Sequence, residues 1–314
     1  MLIFATNRLL IALRVGGAAV GLMTIAAIPA MAAQKNFATP ASAADALIRA
    51  NRADHTRELL AILGPEGAKL IHSGDPVADK AGRTHFVQQF DQGNKLDRDG
   101  EGRAVLEIGD AAWPFPIPLV RRADGWQFDT AAGEQEILDR RIGRNELNAI
   151  QVCRAYAGAQ QEFAEMKAGR HQLIEYAQKF ESSPGKHDGL FWPAEAGAPE
   201  SPLGPQMVSA RAEGYDTATG ERTPYQGYFY KILTRQGGAA PGGAYDYLAK
   251  GHMIGGFALV AFPARWADSG VMSFLINQDG VIYEKNLGPD SAAAARAMTE
   301  FNPDESWRKV AAAP

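Results

Sequence analysis

Apolar residues recur at helical spacing in the first part of the chain that follows the N-terminal segment. Thr39-Pro40 is typical of a helix start, because proline is tolerated in the first helical turn. Gly64-Pro65 is typical of the end of a second helix, and residues 84–93 predict another short helix. The apolar positions that predict the first two helices are Ala43, Ala46, Leu47, Ala50, Leu59, Ile62 and Leu63.

Alternation of apolar and polar residues then replaces the helical spacing. Residues 102–110 predict a strand, and residues 113–130 predict a hairpin that turns at Asp124-Gly125. The three prolines within residues 114–118 cannot all lie in a central ladder, because proline lacks the N–H that pairs there. This strand is therefore expected to lie at an edge or to be irregular.

A long amphipathic helix is predicted for residues 134–167, with Gly143 as a candidate position for a kink or a break. The arginine-rich run at residues 140–144 is expected to form a solvated helix face. Cys153, the only cysteine of the chain, falls within the apolar stripe, which predicts a buried and unreactive thiol. The stripe consists of Leu138, Ile142, Ala149, Cys153, Tyr156 and Phe163.

Strand patterns return after residue 224, whereas residues 184–224 are rich in glycine, proline and alanine and predict mainly loop. Asp279-Gly280 lies between two alternating runs and predicts a hairpin. These strands predict a four-strand antiparallel meander packed on the helix of residues 134–167. The runs that predict strands are residues 227–234, 253–263, 270–277 and 281–288, with residues 244–249 as a short additional run.

The patterns together predict an α+β protein. Residues 33–132 are expected to form an N-terminal cone-shaped α+β domain similar to the nuclear transport factor type. Residues 133–314 are expected to form a second domain, the long helix packed on the antiparallel β-meander. Fold analogy of this kind does not identify a function, because the same folds serve enzymes and binding modules.

Several motifs resemble a known family, the domain of unknown function 2950, whose members are exported bacterial proteins without an assigned activity. The resemblance spans about residues 36–310 and is carried by segments such as WPFPIPLVRR, RRIGRNEL, AIQVCRAY, MIGGFALVAFPA and NQDGVIYEKNLGPD. The helix and meander are also similar to the head domains of type IV pilins and pseudopilins. Unlike a pilin membrane helix, however, the first part of this helix is rich in charged residues.

The N-terminus matches a signal peptide of residues 1–32, cleaved after Ala32; a retained membrane anchor is the alternative. Its apolar run after Arg14 has 14 residues, fewer than the roughly 20 needed to span a bilayer. Cleavage removes two arginines and no acidic residue, so the formal net charge changes from −4 to −6. The mature protein is expected to be periplasmic or secreted, without a stable membrane span and without nucleic acid as a partner.

Chemical motifs in the chain are weak. A single cysteine excludes an internal disulfide and zinc sites built on several cysteines. Residues 96–102 lack the full spacing of a calcium loop and predict a polar hairpin turn instead. Asp268-Ser269-Gly270 is preceded by Ala267 and so lacks the Gly-x-Ser-x-Gly form of a nucleophile elbow. The sequence therefore predicts no catalytic residue, no metal ligand and no cofactor.

The candidates for binding lie in loops and at strand ends. Most glycines and aspartates of residues 242–288 are explained by turns. Replacement of Gly280 is therefore expected to destabilise the protein, whereas His252 and Ser269 are expected to be surface positions that tolerate alanine. The predicted binding residues are His187, Asp188, Trp192, His252, Trp266, Asp268 and Ser269.

Three functions remain open at this level, of which a non-enzymatic envelope protein that binds another protein or a surface component is favoured. A periplasmic hydrolase would need a histidine and a carboxylate within hydrogen-bond reach in a cleft. Its candidates are His187, Asp188, His252, Asp268 and Ser269. A small-ligand binding protein would need an open apolar cavity in the N-terminal cone. That cavity would be lined by Trp113, Phe115, Trp126 and Phe128.

Overall fold

The computed structural model describes residues 34–171, 174–194, 199–213, 215 and 223–311. The predicted signal peptide, residues 1–32, therefore lies outside the described residues. The described chain begins with helices: α1 Pro40–Arg52, α2 Thr56–Leu63, a 3₁₀ turn Pro65–Gly67, α3 Ala68–Ile71 and α4 Pro76–Gln92.

The first two helices confirm the predicted boundaries, and local chemistry explains both ends. The hydroxyl of Thr39 accepts the N–H of Ser42 at 3.1 Å and caps α1. Gly64 ends α2 with a φ of +76°, a conformation that glycine adopts without the steric cost of a side chain.

A helix does cover the predicted residues 84–93, but the predicted start is wrong, because α4 already begins at Pro76. A carboxylate oxygen of Asp75 accepts the N–H of Ala78 at 3.0 Å, which caps a helix that begins at Pro76. No residue of α4 is fully buried. The helical spacing of apolar residues is therefore recognisable only in the second half of α4.

The first sheet consists of β1 Asn94–Asp99, β2 Arg103–Ile108, β3 Trp113–Pro114, β4 Leu119–Arg122 and β5 Gly125–Phe128. It is antiparallel, with strand order β1-β2-β4-β5 and β3 paired with β2. The structure confirms the strand predicted at residues 102–110 and adds β1, which sequence reasoning treated as a turn. Only residues 100–102 turn, because Asp99 already pairs with Arg103.

A single helix of 42 residues, α5 Thr130–His171, follows the first sheet and continues through Gly143. It begins four residues before the predicted start, and Gly133 lies inside it. A Cβ at residue 133 would lie 2.7 Å from the backbone nitrogen of Ile117 and closer still to the carbonyl of Pro116. The glycine thus allows the helix to approach the loop between β3 and β4. The predicted apolar stripe is confirmed, since Ile142 is half-buried and its other members are buried.

The region predicted as loop at residues 184–224 contains a helix, α6 Gly204–Ala212. The elements after it are β6 Tyr228–Leu233, β7 Arg235–Gln236, β8 Tyr245–Asp246, β9 Leu248–Ala249, β10 His252–Met253, β11 Ala258–Pro263, β12 Met272–Asn277, β13 Ile282–Asn286, α7 Ser291–Ala297 and β14 Arg308–Lys309. The second sheet has the strand order β14-β13-β12-β11-β6. This order confirms the antiparallel meander and adds a fifth strand, β14, at its edge.

Helices cover the second sheet on both faces. All six residues of β11 are buried, and successive side chains of a strand point to opposite faces. Helix α5 packs against β11 and β12. Helix α7 also packs against β11, and the Arg296 guanidinium lies 5.5 Å from the Phe229 ring centroid and 5.8 Å from that of Phe262.

The fold is α+β, as predicted. One apolar core lies between α1, α2 and the first sheet, and a larger one lies between α5 and the second sheet. The domain boundary at residues 132/133 and the likenesses to nuclear transport factor and pilin-head folds stay predictions. Among the described residues, no helix is long and apolar enough to cross a membrane.

Candidate functional site

The first three predicted binding residues lie in the segment between α5 and α6. An oxygen of Asp188 lies 2.9 Å from the ammonium of Lys179, and its other oxygen accepts the N–H of Ser183 at 2.8 Å. Desolvation raises the pKa of Asp188, but the hydrogen bonds from Lys179 and Ser183 outweigh it and lower the pKa to about 2. The carboxylate is therefore ionised and paired.

His187 does not pair with the adjacent carboxylate of Asp188. Its imidazole ring stacks on the indole of Trp192, with ring centroids 4.4 Å apart and planes 15° apart. Trp192 is buried and donates its indole N–H to the carbonyl of Pro199 at 3.2 Å. The stacking fixes this loop, and the His-Asp pair considered for hydrolysis is not formed.

His252, at the start of β10, contacts a carboxylate that sequence reasoning did not identify. Its Nδ1 lies 2.9 Å from a carboxylate oxygen of Glu175. The two residues are 77 positions apart, so no local spacing indicates the pair. A backbone bridge aligns them, since the N–H of Tyr176 donates to the carbonyl of Met253 at 2.8 Å.

The Lys179–Asp188 ion pair and the Glu175–His252 hydrogen bond meet at one cavity of about 330 Å³. Asp188 lines the cavity directly, and His252 reaches it through Glu175. Two of the predicted binding residues are therefore brought to the same place by the fold. The cavity is lined by Phe163, Lys167, Glu175, Tyr176, Gln178, Lys179 and Asp188.

Large apolar side chains are exposed beside this cavity. Ile174, which precedes Glu175, is 57% exposed. Leu248, which pairs with Met253 in the β9–β10 hairpin, is 36% exposed. Ile254, which follows that hairpin, is 37% exposed. Apolar side chains exposed near a cavity are a feature of binding surfaces. We call the cavity together with Ile174, Leu248 and Ile254 the Tyr176 surface.

The remaining predicted residues, Trp266, Asp268 and Ser269, lie in the β11–β12 loop and form a turn. Ser269 is fully buried, so its prediction as a surface residue is wrong. Its hydroxyl accepts the N–H of Arg265 at 2.9 Å and lies 3.1 Å from the carbonyl of the same residue. Trp266 donates its indole N–H to Asn286 at 3.0 Å, and the carboxylate of Asp268 lies 4.0 Å from the guanidinium of Arg265.

A buried polar junction joins the helical N-terminal part to the loops before β6. The carboxylate of Asp75 is fully buried and accepts the hydroxyl of Tyr215 and the N–H of Gly227, both at 2.8 Å. Arg141 donates to the carbonyls of Lys69, at 2.7 Å, and Leu70. Arg141 therefore does not belong to a solvated face, as the sequence suggested for residues 140–144.

The aromatic rings considered for a ligand cavity in the N-terminal part are packed against other side chains. Phe115 lies 5.3 Å from Phe86 and 6.4 Å from Phe128, between ring centroids. Trp126 and Phe128 are buried in the first core, and the guanidinium of Arg140 lies 4.7 Å from the ring centroid of Trp113. The four rings are therefore engaged by neighbouring side chains, and the small-ligand hypothesis stays a prediction.

A second cavity, of about 370 Å³, contains none of the predicted residues in its lining, which comprises Leu275, Ala297, Met298, Thr299, Glu300, Asn302 and Trp307. Within the described ranges, no group of three or more histidine, cysteine, aspartate or glutamate side chains is arranged to hold a metal ion.

Comparison with known proteins gives one match. A family model described as a protein of unknown function, DUF2950, matches residues 34–310. No curated protein matches the chain, and no solved structure matches it.

Proposed function

Because the chain belongs to the DUF2950 family, whose description assigns no activity, we propose a function from its own residues. The protein is an exported envelope protein that acts as a non-enzymatic binding module. It is periplasmic or secreted, and it binds a partner protein through the Tyr176 surface.

One observation carries this proposal: a charged cavity and exposed apolar side chains lie side by side. Burial of apolar surface contributes about 25 cal/mol per Å², so Ile174, Leu248 and Ile254 gain stability only when a partner covers them. Polar groups at such a surface fix the orientation of the partner. The polar groups are supplied here by the Lys179–Asp188 ion pair and the Glu175–His252 hydrogen bond.

The pairing of these groups favours binding over catalysis. A general base must reach the proton of a bound substrate, whereas the carboxylate of Asp188 is held by Lys179 and Ser183. The hydroxyl of Ser269 is engaged by the backbone of Arg265 in a different loop. Asp188 and Ser269 are thus each held in a structural contact. The histidine–carboxylate pair beside the cavity, His252–Glu175, has no serine or cysteine among the described residues that line that cavity.

Export is supported by the pattern of residues 1–32. Mass spectrometry of the protein recovered from the exported fraction should find Ala33 at its N-terminus. Recovery of an intact chain that begins at Met1 in the membrane fraction would contradict cleavage.

Binding is tested by site-specific photo-crosslinking in cells that produce the chain. The photoreactive residue p-benzoylphenylalanine replaces Leu248 on the Tyr176 surface or, as a matched control, Leu147. Leu147 is 65% exposed and lies on α5 outside the surface. We expect a discrete adduct with another protein from position 248 and none from position 147. The adduct should disappear when Ile254→Glu is added.

Two outcomes would refute the proposal. Equal adducts from both positions would show nonspecific contact of exposed side chains. Absence of an adduct from position 248, in cells where the chain is exported and folded, would show that the Tyr176 surface does not bind a partner protein.

A further inference from the structure

Strand β1 lies at the edge of the first sheet, and within the described ranges it pairs with β2 alone. All of its residues are exposed except Leu96, which is half-buried. An edge strand presents a row of unpaired backbone N–H and C=O groups, which are able to pair with a strand of another chain. The free side of β1 is therefore a candidate interface.

The register of the first sheet fixes which backbone groups of β1 point to its free side. The N–H of Phe115 donates to the carbonyl of Leu106 at 2.7 Å, so Leu106 of β2 bonds away from β1. In an antiparallel ladder, the bonding groups of successive residues point alternately to the two sides. The neighbours of Leu106 therefore bond to β1, where they lie opposite Lys95 and Asp97. The groups left for an outside strand are those of Asn94, Leu96 and Arg98.

Apolar surface is left at the same edge of the sheet. Helix α4 packs against β1 and β2, yet none of its residues is fully buried. Phe86 and Phe90 of α4 and Leu96 of β1 are only half-buried, and they pack against one small apolar core. Further burial of such side chains favours association. The free backbone groups and the incompletely covered apolar side chains thus lie together.

The charges of β1 are complementary to those of a second, antiparallel copy of β1. When two copies are centred on Leu96, Lys95 of each copy lies opposite Asp97 of the other. Opposite charges on directly opposite residues stabilise a strand pair, and like charges destabilise it. A register centred on Asp97 would instead place the two Asp97 side chains opposite each other. Charged residues on an edge strand prevent pairing with most other strands, but this order of charges permits β1 to pair with itself.

Both charged groups are available for this contact. Asp97 has no cationic partner among the side chains that the structure describes, and it lies opposite Val105. Lys95 is exposed, and its ammonium lies 3.9 Å from the carboxylate of Glu107 on the neighbouring strand. A second carboxylate is able to approach it from the free side.

We propose that two copies of the chain associate through β1 about a two-fold axis, which joins their five-stranded first sheets into one antiparallel sheet. Asn94, Leu96 and Arg98 supply the new backbone ladder, and the two Lys95–Asp97 pairs fix its register. Both copies of α4 then lie on the same face of the joined sheet. A contact between two short strands is smaller than a standard protein interface, so the dimer is reversible. It shares no residue with the Tyr176 surface.

Sedimentation equilibrium of the mature chain over a wide range of concentrations tests this proposal. We expect a monomer–dimer equilibrium for the wild type. Lys95→Asp and Asp97→Lys each replace two attractive contacts by two repulsive ones, so each should raise the dissociation constant of the dimer roughly tenfold or more. The double variant Lys95→Asp/Asp97→Lys restores both attractive contacts and should dimerise like the wild type. An equimolar mixture of the two single variants should also dimerise, because each supplies the charge that the other lacks.

Asp99→Lys is the matched control, because it makes the same change of charge on the same strand. In the register centred on Leu96, residue 99 lies opposite Gly93 of the other copy, so the dissociation constant should not change. Circular dichroism and thermal melts of each variant confirm that the monomer is folded.

Four outcomes would overturn the proposal. A wild-type chain that stays monomeric at every concentration excludes self-association, and a dimer that tolerates both single variants has its interface elsewhere. A double variant that stays monomeric while folded shows that Lys95 and Asp97 do not pair. Dissociation by Asp99→Lys, with a dimer of Asp97→Lys as stable as the wild type, shows a register centred on Asp97.

Discussion

Three glycines of α5 should respond to the same substitution with opposite signs. Alanine is more favourable than glycine within a helix by about 0.5–1 kcal/mol. A Cβ at Gly143 or Gly158 would meet no atom within 4 Å, so Gly143→Ala and Gly158→Ala should each raise the free energy of unfolding by about that amount.

At Gly133 the same gain is outweighed by a clash. The new Cβ would lie 2.7 Å from the nitrogen of Ile117 and closer to the carbonyl of Pro116. These are backbone atoms, which cannot rotate away, and overpacking of this kind costs typically about 1–3 kcal/mol. Gly133→Ala should therefore lower the free energy of unfolding by about 1–2 kcal/mol net.

Thermal melts of the mature protein by circular dichroism measure the effect. With about 2–4 °C per kcal/mol for a chain of this size class, Gly143→Ala and Gly158→Ala should melt about 1–4 °C above the wild type. Gly133→Ala should melt about 2–8 °C below it. A Gly133→Ala variant more stable than the wild type would refute the close approach. A destabilised Gly143→Ala would show that α5 bends or breaks at this residue.

Three further predictions concern the thiol, the hairpin turn and the buried serine. Burial raises the pKa of Cys153 to about 12, so the native protein should not react with a thiol reagent at neutral pH until it is denatured; rapid labelling would contradict this. Gly280→Val should lower the free energy of unfolding by about 1–3 kcal/mol, because Gly280 has a φ of +73°; an unchanged urea midpoint would refute the strain argument. Ser269→Ala should cost about 1–3 kcal/mol, since it removes the hydroxyl that bonds the Arg265 backbone, whereas the exposed His252→Ala should stay within about 0.5 kcal/mol. Equal melting temperatures for these last two variants would be inconsistent with burial of Ser269.

The elements that sequence predicts well are those with one face buried and one exposed. The stripe of α5 and the strands of the second sheet have this property, and their periodicity is therefore visible in the chain. Helix α4 and strand β1 lack it. No residue of α4 and none of β1 is fully buried, so capping by Asp75 and pairing with β2 define them instead.

The candidate site was predictable only in part, for a related reason. Asp188 and His252 are recognisable by residue type, but their partners are selected by the fold. Glu175 meets His252 across 77 positions, and Lys167 falls on a helix whose pattern indicates only packing. Ser269 was misplaced because a serine next to glycine in a loop is typical of the surface. Its burial depends on hydrogen bonds that only the folded loop provides.

The buried carboxylate of Asp75 also constrains the order in which the chain can complete its fold. Of its partners, Ala78 is local, whereas Tyr215 and Gly227 are 140 and 152 positions away. Contacts between distant positions form only after the entropy of closing a long loop has been lost, which slows folding. A fragment that ends at residue 132 keeps the local bond and loses both distant ones. During synthesis, the carboxylate must therefore stay hydrated until residue 227 has emerged from the ribosome, and the final docking of α4 follows the arrival of the second half of the chain.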